Sequence, residues 1–346
     1  MEYQQKVKRK FLFANAIQKE KTKQNISRII ISFFVISLIV MIIIQPNICI
    51  SSVYNGLSVW AKTILPSLFP FVFLTQILTK LNTLDGLSKR LSKITKFLFK
   101  APAISGYIFL MSIVSGYPVG AKLISEFYGS GKITQKQANK LVSFCSTSGP
   151  LFIIGSVGVG IFLNKKIGYI LFASHIFSSI INGIIYRNKF ADQTEKEIDK
   201  DNQTNLTQIL PETMQSTVLS CLIVGGYIAI FFMIIDIINN FGIFSPLISA
   251  INHIFPNINQ VEIKSTIFGF IEMSKGCIEI AKTNISLVAK ATITSFLISF
   301  GGLCTFFQAT TFLSKCKVNL KFYLFQKFTH ALISAILTFL LATIVL

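Results

Sequence analysis

The chain has 346 residues, 52% of them hydrophobic, with a mean hydropathy of +0.63. Apolar stretches long enough to cross a bilayer recur from Ile29 to the last residue, which excludes a soluble globular domain. The 33 Lys and Arg against 14 Asp and Glu give a formal charge of +19, but they cluster between apolar stretches, where they read as cytoplasmic flanking charge rather than a nucleic-acid surface.

In chain order, a basic cytoplasmic arm over residues 1–28 precedes a first transmembrane helix over 29–48. That helix lies too late, is too long and lacks the small-residue cleavage site of an ordinary signal peptide, so it is read as retained. A second span over 57–78 is interrupted by Pro66 and Pro70. Residues 80–100 carry Lys80, Lys89, Arg90, Lys93, Lys96 and Lys100 against Asp85 and are read as a cytoplasmic loop. The stretch 104–127 is apolar but contains Gly106, Gly116, Pro118 and Gly120. Lys132, Lys136 and Lys140 follow it on what should be the same membrane face, so a re-entrant hairpin is expected. A crossing over 141–163, broken at Ser148, Gly149 and Pro150, leads to a return over 167–186.

Residues 187–210, with Arg187, Lys189, Glu195, Glu197, Asp199, Lys200 and Asp201, form a polar cytoplasmic linker. A crossing over 217–238 reaches an uncharged external segment over 239–260. A second hairpin over 262–282 precedes a crossing over 286–313, broken at Gly301 and Gly302. Lys315, Lys317, Lys321 and Lys327 mark the inner face before a last crossing over 328–346. The expected fold is therefore all-α and polytopic, with about seven full transmembrane helices plus two re-entrant hairpins. The unit of span, hairpin, broken span and span occurs over 57–186 and again over 211–346. Three crossings separate the two starts, which makes it an inverted internal repeat with the N-terminus in the cytoplasm.

The glycine-broken segments carry the chemistry. Irregular backbone at membrane depth is tolerated only where protein or a polar cavity surrounds it, and its unpaired amides and carbonyls can then hold a ligand. Ser146, Thr147 and Ser148 add three hydroxyls at such a break, suited to a carboxylate or an ion's oxygen shell; the bland alternative is close helix packing. Glu272, between Gly269 and Gly276, must pair, titrate or lie in a wet cavity; the bland alternative is an ion pair with Lys275 or Lys122. Lys122, Tyr117, Ser274 and Gln308 complete the candidate substrate-binding set. Gly116, Pro118, Gly120, Gly149, Pro150, Gly269, Gly276, Gly301 and Gly302 are read as hairpin or helix-break positions. Six cysteines lack paired metal spacing, and His175, His253 and His330 are too scattered to argue for zinc. No nucleotide-binding, hydrolase-elbow or zinc-protease motif occurs. No metal, cofactor or enzymatic activity is expected.

The run Ser115-Gly116-Tyr117-Pro118-Val119-Gly120-Ala121-Lys122, the run Ser148-Gly149-Pro150-Leu151-Phe152-Ile153-Ile154-Gly155, and Leu65-Pro66-Ser67-Leu68-Phe69-Pro70-Phe71 upstream resemble the YlbJ/SpoVV family of sporulation integral membrane proteins. Gly269 to Gly276 and Ser299 to Leu303 resemble its second-half signatures. The resemblance implies two Gate-like repeats of the nucleoside-recognition type. It also implies a role in endospore formation, moving dipicolinic acid across the outer forespore membrane. The expected partners are a small anionic substrate and the lipid bilayer, with no nucleic acid; a coupling ion and an oligomeric state stay open. Two other readings share these residues: a carrier of nucleosides or another polar metabolite, and a non-transporting scaffold for spore-envelope assembly.

Overall fold

A computed structural model describes residues 2–81, 84–190, 192 and 206–346. The helices are α1 (Glu2–Ile44), α2 (Pro46–Val59), α3 (Leu65–Lys80), α4 (Leu84–Phe99), α5 (Ile104–Ser115), α6 (Val119–Gly129), α7 (Gln135–Leu141), α8 (Lys165–Ile185), α9 (Leu206–Asn240), α10 (Ser245–Ile254), α11 (Gln260–Ile271), α12 (Met273–Lys282), α13 (Leu287–Phe300), α14 (Gly302–Leu313) and α15 (Leu320–Val345). Two π-helical segments, Trp60–Ile64 and Leu151–Ile161, interrupt them. The N-terminal unit, Met1–Ser51, contains α1 and the start of α2, and Ser52–Leu346 forms the second unit.

Among the described residues, six helical stretches are long and apolar enough to span a membrane: Asn25–Ile44, Pro46–Lys80, Lys165–Ile185, Thr207–Asn240, Leu287–Cys316 and Leu320–Val345. A seventh is reached if Ser88–Phe99 and Ile104–Ser115, which meet at 92°, are counted together. The chain is an all-α multi-pass membrane protein, as its hydropathy requires.

Several details depart from the sequence reading. Residues 84–99 are a helix, not a loop. Ser88, Thr95 and Phe99 of α4 face inward, while Lys89, Arg90, Lys93 and the apolar Ile94 and Phe97 are exposed, the composition of an interfacial helix. The expected crossing over 141–163 is helical only from Leu151, and Ser146–Gly149 is irregular. Lys140 is not a flanking charge. It is fully buried, and its Nζ donates to the carbonyls of Lys100 (3.0 Å) and Arg187 (2.6 Å), just past the negative ends of α4 and α8. The linker residues Glu195, Glu197, Asp199, Lys200 and Asp201 lie outside the described residues.

The breaks have local causes. Pro66 has no N–H to donate to the carbonyl of Lys62 four residues earlier, and the turn immediately before it widens into the π-helical segment Trp60–Ile64. Gly116 and Gly301 end α5 and α13 at φ of 79° and 84°, a left-handed conformation that costs glycine little. The Tyr117–Pro118 peptide bond is cis. Gly120, Gly269 and Gly276, expected at hairpin or helix-break positions, lie within the helix pairs, in α6, α11 and α12, and permit close approach. Gly269 and Gly276 face each other where α11 and α12 pack, and Gly120 abuts the Cys145 carbonyl.

These contacts give the two halves one recurring arrangement. In the first, Gly116 between α5 and α6 sits on the Ser148–Gly149 backbone. In the second, the end of α11 at Ile271 sits on Gly302, where α13 gives way to α14. A helix-pair tip meets a broken helix in both.

Candidate functional site

A cavity lies where these two tip-on-break contacts converge. Its lining includes Ser115, Gly116, Tyr117, Ser148, Gly149, Glu272, Met273, Thr305 and Gln308, with Ser67, Leu68, Phe71, Val224 and Ile228 supplied by α3 and α9. It has a cavity volume of about 50 Å³, room for a few waters or an ion, and is open at one side. Of the candidate residues, Gly116, Tyr117, Ser148, Gly149, Glu272 and Gln308 are brought together here. Glu272 is the one formally charged residue among the lining.

Glu272 is 2% exposed and sits in extended backbone between α11 and α12. Its carboxylate accepts from the Lys275 backbone N–H (2.7 Å) and the Ser274 hydroxyl (2.6 Å), which makes it the N-cap of α12, where the helix dipole favours negative charge. The ion pair with the Lys275 or Lys122 ammonium considered from the sequence does not form. Both lysines are bound elsewhere, to residues of α9.

Lys122 of α6 donates to the hydroxyls of Ser216 (2.7 Å) and Ser220 (2.9 Å) on α9, away from the cavity. Lys275 of α12 pairs with Asp236 of α9 at 2.5 Å and lies over the Phe232 ring, with its Nζ 4.8 Å from the ring centroid. Asp236 also accepts from Ser52 (2.8 Å). The two lysines thus fasten to one helix at positions 16 to 20 residues apart. At 1.5 Å per residue this is about 24–30 Å, close to the thickness of the hydrocarbon core. Asp236→Asn should leave a largely buried ammonium without its counter-charge. It is expected to lower the thermal midpoint of the detergent-solubilised protein by the equivalent of about 2 kcal/mol. Adding Lys275→Met should recover most of that loss; an unchanged midpoint in the single variant would show the pair to be neutral.

Behind Tyr117 lies a buried polar network that the sequence reading missed. Lys327 of α15 was read as an inner-face marker because its span was started at Phe328. It is instead 4% exposed inside a helix that begins at Leu320. Its Nζ donates to the Tyr117 hydroxyl and to the Ser146 carbonyl (3.2 Å). The Ser146 hydroxyl bonds Tyr323 (2.7 Å) and the Thr147 hydroxyl bonds Ser112 (2.6 Å), so these two candidates hold the break in place and do not line the cavity.

His175 and His330, scattered in sequence, lie with ring centroids 4.8 Å apart. The Ser148 N–H donates to His175 Nε2 (2.8 Å), which leaves Nδ1 facing the Ser299 hydroxyl (2.7 Å); His330 Nε2 donates to the His175 carbonyl (3.1 Å). The network joins the first tip, both broken helices, α8 and α15. The signal for it was present: Tyr323, Lys327 and His330 share one face of an apolar helix, and an ionisable residue inside a span warrants a search for its partner. Among the described residues, no group of three or more His, Cys, Asp or Glu side chains is placed to hold a metal.

A second, more open hollow of about 500 Å³ adjoins the cavity and shares Ser67, Leu151 and Phe152 with it. Ser274 lines this hollow and not the cavity.

Comparison with known proteins gives one informative result. Over 340 residues the chain is 25% identical to the sporulation integral membrane protein YlbJ of Bacillus subtilis (strain 168), covering 91% of this chain and 83% of the relative. No family model matches the chain, and no solved structure matches it.

Proposed function

We propose that the chain, 25% identical over most of its length to the sporulation integral membrane protein YlbJ, is a sporulation integral membrane protein of that kind and a secondary carrier of a small organic anion, dipicolinic acid, across the outer forespore membrane. The observation that carries this reading is the cavity itself. Backbone breaks, hydroxyls and one carboxylate meet at the junction of two tip-on-break units, which is how a membrane protein builds a solute site without exposing polar backbone to lipid. The units are the halves of an inverted repeat, 57–186 and 211–346. Alternating access follows if each helix pair, α5 with α6 and α11 with α12, gates one side. Lys122 and Lys275, held near opposite ends of the membrane-crossing part of α9, are the fastenings that such gates release. The carboxylate of Glu272 would hold a coupling cation or a proton while the anion passes. No covalent step is required.

Purified protein in sealed vesicles should give saturable dipicolinate flux that a nucleoside panel does not compete away. Absence of flux and binding at millimolar dipicolinate would overturn the assignment, and tight uridine or adenosine binding in its place would favour a nucleoside carrier. Sporulation that survives Glu272 substitution but fails on deleting residues 1–28 and 187–210 would favour a scaffold.

The orientation has its own test. Single cysteines at Asn82 and Asn202, both outside the described residues, should be shielded from an impermeant thiol reagent in intact cells, whereas one at Asn257 should react. Labelling at Asn202 from outside would invert the topology.

A further inference from the structure

The hollow beside the cavity contains a charge that the carrier reading leaves unused. Lys62 lies near the middle of the span Pro46–Lys80, a depth at which an ammonium is costly in lipid. It is exposed and lines the hollow, together with Thr63, Ser67, Ser156 and Ser274. Among the described residues it makes no hydrogen bond or ion pair with another side chain, unlike Lys122, Lys275 and Lys327. Its placement follows from the sequence: the turn carrying it is the one that Pro66 forces into π-helical form.

Each compartment is lined by one formally charged residue, and the signs are opposite. The hollow has Lys62, and the cavity has Glu272. Ser67, Leu151 and Phe152 are common to both. Ser274 links the two, since it lines the hollow while its hydroxyl donates to the Glu272 carboxylate.

We propose that the hollow is a hydrated anion subsite in which Lys62, flanked by hydroxyl donors, receives a carboxylate of the substrate, while the adjoining cavity takes the compensating cation or proton at Glu272. This assignment rests on the carrier reading and refines it. The two ligands occupy separate compartments, and Lys62 determines specificity for a small dianion over a neutral solute of similar shape. A charge-assisted contact of this kind, lost on neutralisation, corresponds to a change of about 10-fold or more in apparent affinity.

Two measurements test it. In sealed vesicles, Lys62→Gln should raise the KM for dipicolinate about 10-fold or more with kcat within about 2-fold, and Lys62→Arg should stay close to wild type. Independently of transport, Ser156→Cys on the wall of the hollow, in a Cys49→Ser background, should react with impermeant methanethiosulfonates. The ratio of rates for the anionic over the cationic reagent should fall several-fold when Lys62→Gln is added. The remaining native cysteines are buried and serve as an internal control. An unreactive Ser156→Cys, or a reagent-charge ratio indifferent to Lys62, would overturn the subsite even if the protein carries dipicolinate. An unchanged KM in Lys62→Gln would do the same. Absence of wild-type flux with a Lys62-dependent ratio would instead retain the hydrated anion hollow and overturn dipicolinate as the cargo.

Discussion

Glu272→Gln is expected to cut dipicolinate flux in sealed vesicles by at least ~10-fold while leaving the amount of membrane protein near wild type. Gln keeps an acceptor oxygen for the Lys275 N–H and the Ser274 hydroxyl, so the N-cap of α12 survives in large part, and losing even the whole cap would cost only about 1 kcal/mol. What disappears is the one carboxylate in the cavity lining. Glu272→Asp keeps a carboxylate with a shorter reach and should be partly active. Because the Lys275 ammonium pairs with Asp236 and not with Glu272, replacing Lys275 should not rescue the Gln variant. Near-wild-type flux at normal abundance would remove Glu272 from the mechanism and leave the hydroxyls and amides of the breaks as its remaining candidates.

Gly120→Ala should have the largest effect on the folded protein. The position is helical, so the substitution carries no conformational penalty and even gains some helix propensity. The added methyl would nevertheless be driven into the Cys145 carbonyl, and that oxygen belongs to backbone that cannot swing aside as a side chain would. Overpacking against backbone is expected to cost about 3 kcal/mol, enough to lower the yield of folded protein several-fold. Gly155→Ala makes the control, because an added methyl there meets nothing within 4 Å. Equal yields of the two variants, with equal thermal midpoints, would show that α6 is not seated on the break as the structure places it.

These two positions also show what the sequence could reveal. Gly116, Pro118, Gly149 and Gly301 are legible because glycine and proline inside apolar stretches have local conformational consequences, and the cavity forms where they break the helices. Which of the two roles Gly120 and Gly276 have on the helix pairs is not legible, because a glycine needed for close approach looks identical in sequence to one needed for a turn. The His175–His330–Lys327 network is only half legible: Lys327 and His330 share a face of one apolar helix, but His175 comes from a distant helix and meets them only after packing. The start of α15 hid it further. Phe322 and Phe325 extend the helix's apolar surface upstream of the expected boundary, and Lys327 therefore lies inside the span. Lys62 falls inside an apolar span, outside the flanking-charge pattern, and only the hollow beside it gives that placement a reason.

The attachment of both hairpin lysines to α9 has a consequence for the phase of that helix. Each residue of an α-helix advances the direction of its side chain by about 100°, so the bearing of Asp236 relative to Ser216 and Ser220 is fixed by how many residues lie between them. Inserting a single alanine after Gly226 would turn Asp236 by that angle and shift it by about 1.5 Å, so Lys122 and Lys275 could no longer both meet their partners. The same insertion after Asn240 would leave both attachments in step. Helix α9 therefore tolerates many changes of residue along its lipid-facing side but no change of length between Ser220 and Asp236, and natural variation in this protein should respect that count even where the residues themselves diverge.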